Sequence, residues 1–383
     1  MDKRTVSRIW NYLSSLQLAI ICLALLMVLV VACTLAQVDL GTYGAVNKFM
    51  RSVLVWWQPG GGSFRLPVFP GGALVGLVLT INLILATFQR LELRWGKAGL
   101  WIVHFGLILL VAGEFVSGAF QVDMRMAIEQ GQTVNYLESP RHVELALIDT
   151  TDPKSDDVYA IPEKRLRSGG NVALPGSPVS LNIKAFYRNS DLKPMQGGAS
   201  LATTGIGLNV AATEKPETTS DEEGNLASAY VEPLAGGKSL GVFLASEGLG
   251  APQSFTTGGH TYTFEMRAAR EYLPYSLTLR KFSHDVYAGT DIPKNFSSLV
   301  HLSNTALGET RDVLIYMNQP LRYDGKAFYQ ASFGKGDMLS ILQVVENPGW
   351  LLPYISCALV ALGLVTHFLV MLFKFLGRRA KEA

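Results

Sequence analysis

Hydrophobic residues in this chain gather into four long runs, and between the third and fourth runs the pattern changes from continuous to alternating. The runs cover roughly residues 16–36, 68–88, 98–120 and 350–373. Each has about the 20 apolar residues that a helix needs to cross a hydrocarbon layer about 30 Å thick. The first run ends in Thr34-Leu-Ala36, a weak leader-cleavage site. Its length and the runs that follow favour a retained helix over a removed leader.

Between runs three and four the period is two. Residues 142–149, 179–186, 261–266 and 275–282 alternate apolar and polar side chains, as half-buried strands do. Turn signals part them at Ser168-Gly-Gly170, Pro175-Gly176, Gly236-Gly237 and Gly258-Gly259. Asp324-Gly325 lies between two aromatic-containing arms and predicts a type I′ hairpin. The polar, acidic stretch 214–224 reads as an exposed loop. The expected fold is a membrane protein with four transmembrane α-helices. A large, mainly β domain, a sandwich or open barrel, is expected between helices three and four. The expected divisions are 1–120, 121–347 and 348–383.

Charge sets an expected orientation. Lys3, Arg4 and Arg8 precede run one, Arg90, Arg94 and Lys97 fill the turn between runs two and three, and Lys374, Arg378, Arg379 and Lys381 follow run four. If every run crosses, these clusters share one side, which the positive-inside rule makes cytoplasmic. Lys48, Arg51 and Arg65 in the loop 37–67 oppose this but are more dispersed. The domain 121–347 is then extracytoplasmic, with both termini cytoplasmic in a bacterial inner membrane. It holds 20 Lys+Arg against 26 Asp+Glu, a net of −6, so it offers no basic patch for nucleic acid. Cys22, Cys33 and Cys357 all lie in apolar runs, and no CxxC or CxxCH occurs. That argues against a thiol-redox enzyme and against a covalent haem carrier.

Ionisable side chains inside spans are costly and therefore candidates for function. His104 and Glu114 lie in run three and His367 in run four. Counting 1.5 Å per residue puts His104 about 9 Å, His367 about 10 Å and Asn82 about 12 Å from the cytoplasmic edge. Two imidazoles at one depth on facing helices are what an axial pair on a haem iron requires. Each histidine making an interhelical hydrogen bond is the plainer alternative. Glu114 lies near the outer surface, where a solvated or capping role is expected. Trp56, Trp57, Trp350 and Tyr354 read as an interfacial belt. His142, His260, His284 and His301 lack ligand spacing and read as surface or packing residues.

Several stretches resemble the ResB-like family of System II cytochrome c biogenesis. They are Ser14-Ser-Leu-Gln-Leu-Ala-Ile20, Gly99-Leu-Trp-Ile-Val-His-Phe-Gly-Leu-Ile-Leu-Leu110, Gly131-Gln-Thr-Val-Asn-Tyr136 and, most specifically, Ile315-Tyr-Met-Asn-Gln-Pro-Leu-Arg-Tyr-Asp-Gly-Lys-Ala-Phe-Tyr-Gln330. The resemblance implies a subunit that handles and exports non-covalently held haem b with a CcsA-like membrane protein bearing a WWD domain. Together the two would attach haem to CxxCH motifs of apocytochrome c, with thiol-reducing membrane and thioredoxin-like proteins as further partners. His104 matches the family's intramembrane haem histidine, and His367 is the candidate second axial ligand. The chain lacks a WWD sequence and ends after run four, so it is expected to be the unfused subunit, a component of a haem lyase complex that is not catalytic alone. Two other readings stay open. One is a membrane b-type cytochrome exchanging electrons with quinol, with His104 and His367 as its own ligands. The other is a non-enzymatic envelope assembly adaptor.

Overall fold

The computed structural model describes residues 3–57, 64–195, 200–219, 224–287, 289 and 293–382. Residues 220–223 of the expected acidic loop lie outside these. Among the described residues four helices are long and apolar enough to cross a membrane. A short helix α1, Lys3–Leu13, comes first, and its break from α2, Leu16–Phe49, is capped by the Ser15 hydroxyl, which accepts from Leu18 N–H at 3.2 Å.

Two expectations at the start of the chain need correction. The segment 37–67 is not all loop, because α2 continues to Phe49 across a kink at Gly41. Gly41 takes φ 67, a left-handed value that glycine adopts without a Cβ clash. The second span starts at Gly72 rather than at 68, since Leu66–Pro70 forms a strand paired with Leu54–Trp57. Pro70 can donate no backbone hydrogen bond to a ladder beyond that point. Helix α3 is Gly72–Arg90 and α4 is Ala98–Phe120. After α5, Glu163–Ser168, the last helix α6 runs Leu352–Glu382. It carries its basic tail as helix, where cations favour the C-terminal end of the dipole.

The α4–α6 pair is packed through glycine. Gly99, Gly106 and Gly113 recur every seven residues on α4 and are all buried. A methyl at Gly99 would come within 2.4 Å of the His367 backbone nitrogen, and one at Gly106 within 2.8 Å of Val360. A methyl at Gly363 would lie 2.7 Å from both Gly99 O and Val103 N. Small residues that let helix backbones touch are the usual means of association in lipid, where burying apolar surface gains nothing.

Compact packing divides the chain into two units, one of Met1–Gln121 with Asn347–Ala383, the other of Val122–Thr218 with Gly224–Glu346. The second unit is built on two long antiparallel strands, Thr133–Asp149 and His260–Val286. Their pairing is interrupted between Ala268 and Arg270 and again between Tyr272 and Leu277. Each half serves its own core. Leu145, Leu147, Tyr262 and Phe264 meet Leu181, Ile183, Val231 and Phe243, while Leu277 and Leu279 meet Ile128, Val300, Ile315, Phe328 and Val344. The predicted hairpin is present, with positive φ at both Asp324 (50) and Gly325 (73) and Tyr323 opposite Lys326.

Candidate functional site

His104 projects from α4 toward α3. Its Nδ1 lies 2.8 Å from the Thr87 hydroxyl oxygen, and that hydroxyl lies 2.7 Å from the Leu83 carbonyl. A threonine has one hydroxyl proton. If that proton goes to the Leu83 carbonyl, which can only accept, Thr87 Oγ1 accepts from the imidazole. His104 is then the Nδ1–H tautomer, which leaves a lone pair on Nε2. A histidine whose Nδ1–H is anchored in this way is the usual form of an imidazole metal ligand.

The imidazole borders a cavity of about 320 Å³, at the small end of the range for ligand sites. Leu16, Ala19, Leu83 and Ala86 make its wall apolar, and Ser14, Ser15 and Arg90 add polar groups. The α1–α2 break is fixed beside it from α3. Asn82 Nδ2 donates to Leu13 O at 2.6 Å and Ser15 O at 2.9 Å, and Arg90 Nε donates to Ser14 Oγ at 3.1 Å. Asn82, expected at the level of the histidines, thus spends its amide on Leu13 O at the end of α1 and on Ser15 O, which also accepts from Ala19 N–H at 3.4 Å.

The chemistry of these groups fits haem: a neutral nitrogen for iron, an apolar wall for the ring and a cation at one end. When bound, haem would supply an iron centre able to bind an imidazole nitrogen. His104 would hold it, Thr87 would orient His104, and Leu16, Leu83 and Ala86 would exclude water.

His367 is not brought to this cavity. Its backbone nitrogen packs at Gly99, five residues before His104, and its half-buried ring lies beside Phe368. At 100° per residue, His104 points about 140–160° away from the face formed by Gly99 and Gly106. The backbone of α4 therefore stands between the two imidazoles, and the expected facing pair at equal depth does not form within this chain. The depth count failed because α6 runs on past Lys374, so that residue marks no helix end. Glu114 is exposed on α4, as are Trp56 and Trp57 in their strand, Trp350 in the turn before α6 and Tyr354 on α6.

Each histidine of the β unit lies beside a carboxylate. His260 and Asp149 are 2.8 Å apart, His301 and Asp312 2.6 Å, His284 and Asp337 3.3 Å, and His142 and Glu163 3.6 Å. Among the described residues no three histidine, cysteine or acidic side chains gather as a metal centre. The pattern of the sequence drew attention to His104 but missed Thr87, an ordinary member of an apolar run, and read Arg90 only as a topology signal.

Comparison with known proteins agrees with the resemblance. Residues 243–341 match the model of the ResB-like family, a stretch that contains the Asn318-to-Gln330 signature. Protein NrfI of Wolinella succinogenes is 32% identical over 114 residues. The aligned stretch is 29% of this chain and only 13% of NrfI.

Proposed function

We propose that this protein is a haem-handling membrane subunit of cytochrome c biogenesis of the System II kind. In this reading the domain 121–347 is extracytoplasmic, the termini are cytoplasmic, and the membrane is a bacterial inner membrane. The chain works with a CcsA-like WWD-domain protein to export haem and to support its attachment to apocytochrome c. Thiol-reducing membrane proteins and thioredoxin-like proteins keep the CxxCH cysteines ready. The observation that carries the reading is the His104 imidazole, hydrogen-bonded through Nδ1 to Thr87 and set against an apolar cavity. The ResB-like match over 243–341 supports the choice of pathway.

In this reading His104 is one axial ligand of haem b and the second comes from the partner. A role for His367 toward haem would have to use a different face of the α4–α6 pair. That geometry removes the main support for a self-contained b-type cytochrome.

The test is the visible spectrum of the chain purified alone and with the WWD partner. Haem is expected with the partner, lost in His104→Ala and retained in His367→Ala, with c-type cytochrome maturation following the same order. A bis-histidine spectrum from the chain alone that vanishes in His367→Ala would favour the electron-transfer reading. Undiminished haem in the His104→Ala complex would defeat the ligand assignment, and haem in neither preparation would favour an assembly adaptor.

A further inference from the structure

Arg90 keeps a positive charge at the edge of an apolar cavity, and among the described residues no carboxylate meets it. Its Nε donates to Ser14 Oγ at 3.1 Å and its Nη2 to Asn11 O at 3.0 Å, both neutral acceptors. The acidic side chain two residues along, Glu92, is committed elsewhere, 3.3 Å from Arg94 and 3.2 Å from Lys97. A hydrogen bond from Lys97, then the charge of Arg94, holds the Glu92 carboxyl below the usual carboxylate range. Among the described residues no carboxylate pairs with Arg90. Two neutral bonds fix the direction of the guanidinium, and its charge is left uncompensated.

The position of that charge is informative. Arg90 is three residues beyond Thr87 on α3, about one helical turn or 4.5 Å along the axis. Thr87 holds His104, and both Arg90 and His104 border the same cavity. A ligand lying against Leu83 and Ala86 would thus meet an imidazole on one side and a guanidinium at one end. Ser14, which accepts from the guanidinium, and Ser15 line the same cavity. This is the arrangement for an amphiphile with an apolar body and a carboxylate tip, because a guanidinium binds a carboxylate through two parallel N–H donors.

We propose that Arg90 is the carboxylate clamp of this cavity, fixing by a propionate-type arm the tetrapyrrole whose iron His104 binds. The inference rests on the haem reading of His104 and adds to it the residue that chooses among tetrapyrroles and sets which edge of the ring enters first. A macrocycle without free carboxylates should be a poor ligand.

The full chain in phosphatidylcholine nanodiscs is titrated with iron protoporphyrin IX and, separately, with its dimethyl ester. Affinity is read from the titration and imidazole ligation from the Soret band. Wild type should prefer the free acid by about ten-fold or more, the range expected of a charge-assisted hydrogen bond. Arg90→Gln should bring the two ligands to equal affinity while keeping the imidazole-ligated Soret band. Arg90→Lys, which keeps the charge and loses the fork, should retain part of the preference. Both replacements can still donate to Ser14 and Asn11, so the α1–α2 break keeps a tether. His104→Ala should show the opposite pattern, with the Soret signature lost and the preference for the acid kept.

An unchanged preference in Arg90→Gln would overturn the clamp and leave the haem reading standing. A preference that disappears when phosphatidylglycerol is added would mean that Arg90 serves lipid phosphates, which also overturns it. An identical Soret band in wild type and His104→Ala would overturn the haem reading on which the clamp depends.

Discussion

The two units bury polar groups in different ways. The β unit buries an ion pair as well as neutral contacts such as Ser298–Ser340, both fully buried and 2.7 Å apart. Arg267 and Glu144, each 7% exposed at the side chain, meet at 2.9 Å, and Glu265 adds a second carboxylate at 2.7 Å. Among the described residues of the membrane unit the buried polar side chains are neutral. Thr87, Asn82 and Ser356 bond to helix carbonyls within reach, and the one imidazole that faces the cavity rests on a hydroxyl. The cores differ as well: Phe264, Phe328 and Tyr262 are fully buried in one unit, while the other sets a line of glycines beside a smaller cluster of Leu18, Leu29, Val55 and Val75. Water drives large apolar side chains together, and a folded β domain can surround an ion pair with further donors. Lipid supplies neither force, so close backbone approach and neutral hydrogen bonds carry more of the load. His104 follows the membrane rule, since a neutral imidazole can offer a lone pair to iron with no buried charge. The four β-unit histidines, each next to a carboxylate, follow the other rule.

The largest expected effect breaks the ionic side of this comparison. Arg267→Met leaves Glu144 buried and unpaired and should destabilise the β unit by about 3–5 kcal/mol. Pulse proteolysis of the full chain in urea measures this. The double variant Glu144→Leu/Arg267→Met should recover most of the loss, and a single-variant loss below about 1 kcal/mol would remove the pair from the account.

Packing on the membrane side is tested by Gly363→Leu. The added side chain meets Gly99 O and Val103 N, backbone atoms that cannot step aside. A cost of about 1–3 kcal/mol is expected from overpacking, seen as earlier thermal aggregation in detergent. Protease resistance of the β unit should be unaffected, and a loss there would mean that the units do not fold independently.

Next comes the tautomer. Thr87→Val keeps the shape but removes the acceptor for His104 Nδ1–H, and it should weaken haem binding about 10–100-fold, as losing the partner of a metal-ligating histidine does. Thr87→Ser should stay close to wild type. Equal Soret titrations for the valine and serine variants would show that Thr87 does not set the tautomer.

The smallest effect is a pH dependence confined to the β unit. A hydrogen bond from Lys184, then one from Ser239, lowers the Glu232 carboxyl to about 2. A depressed folded pKa stabilises above the unfolded value of about 4.3 and loses that contribution as pH falls toward 2. Glu232→Gln should flatten that part of the acid-unfolding curve and leave the membrane helices, followed by circular dichroism, unchanged. A curve identical to wild type between those pH values would show that Glu232 contributes nothing there.

Local pattern along the chain encodes its elements. Four apolar runs gave four helices because length and hydropathy are properties of a segment. Period-two stretches gave strands, and Asp324-Gly325 gave its turn because φ preferences are local. His104 stood out because an imidazole in an apolar run is conspicuous without any structure. Tertiary structure alone decided the rotation of each helix about its axis. The glycines of α4 settle onto α6, and that contact turns His104 away from His367 and toward Thr87. It likewise decided that Tyr262 pairs with Asp149, 113 positions earlier in the chain, and that Arg90 stands beside the imidazole. Helical period fixes the angles between residues of one helix, but the angle between two helices is set by which side chains interlock. That information lies in pairs of residues far apart in the chain, and no reading along a single run contains it.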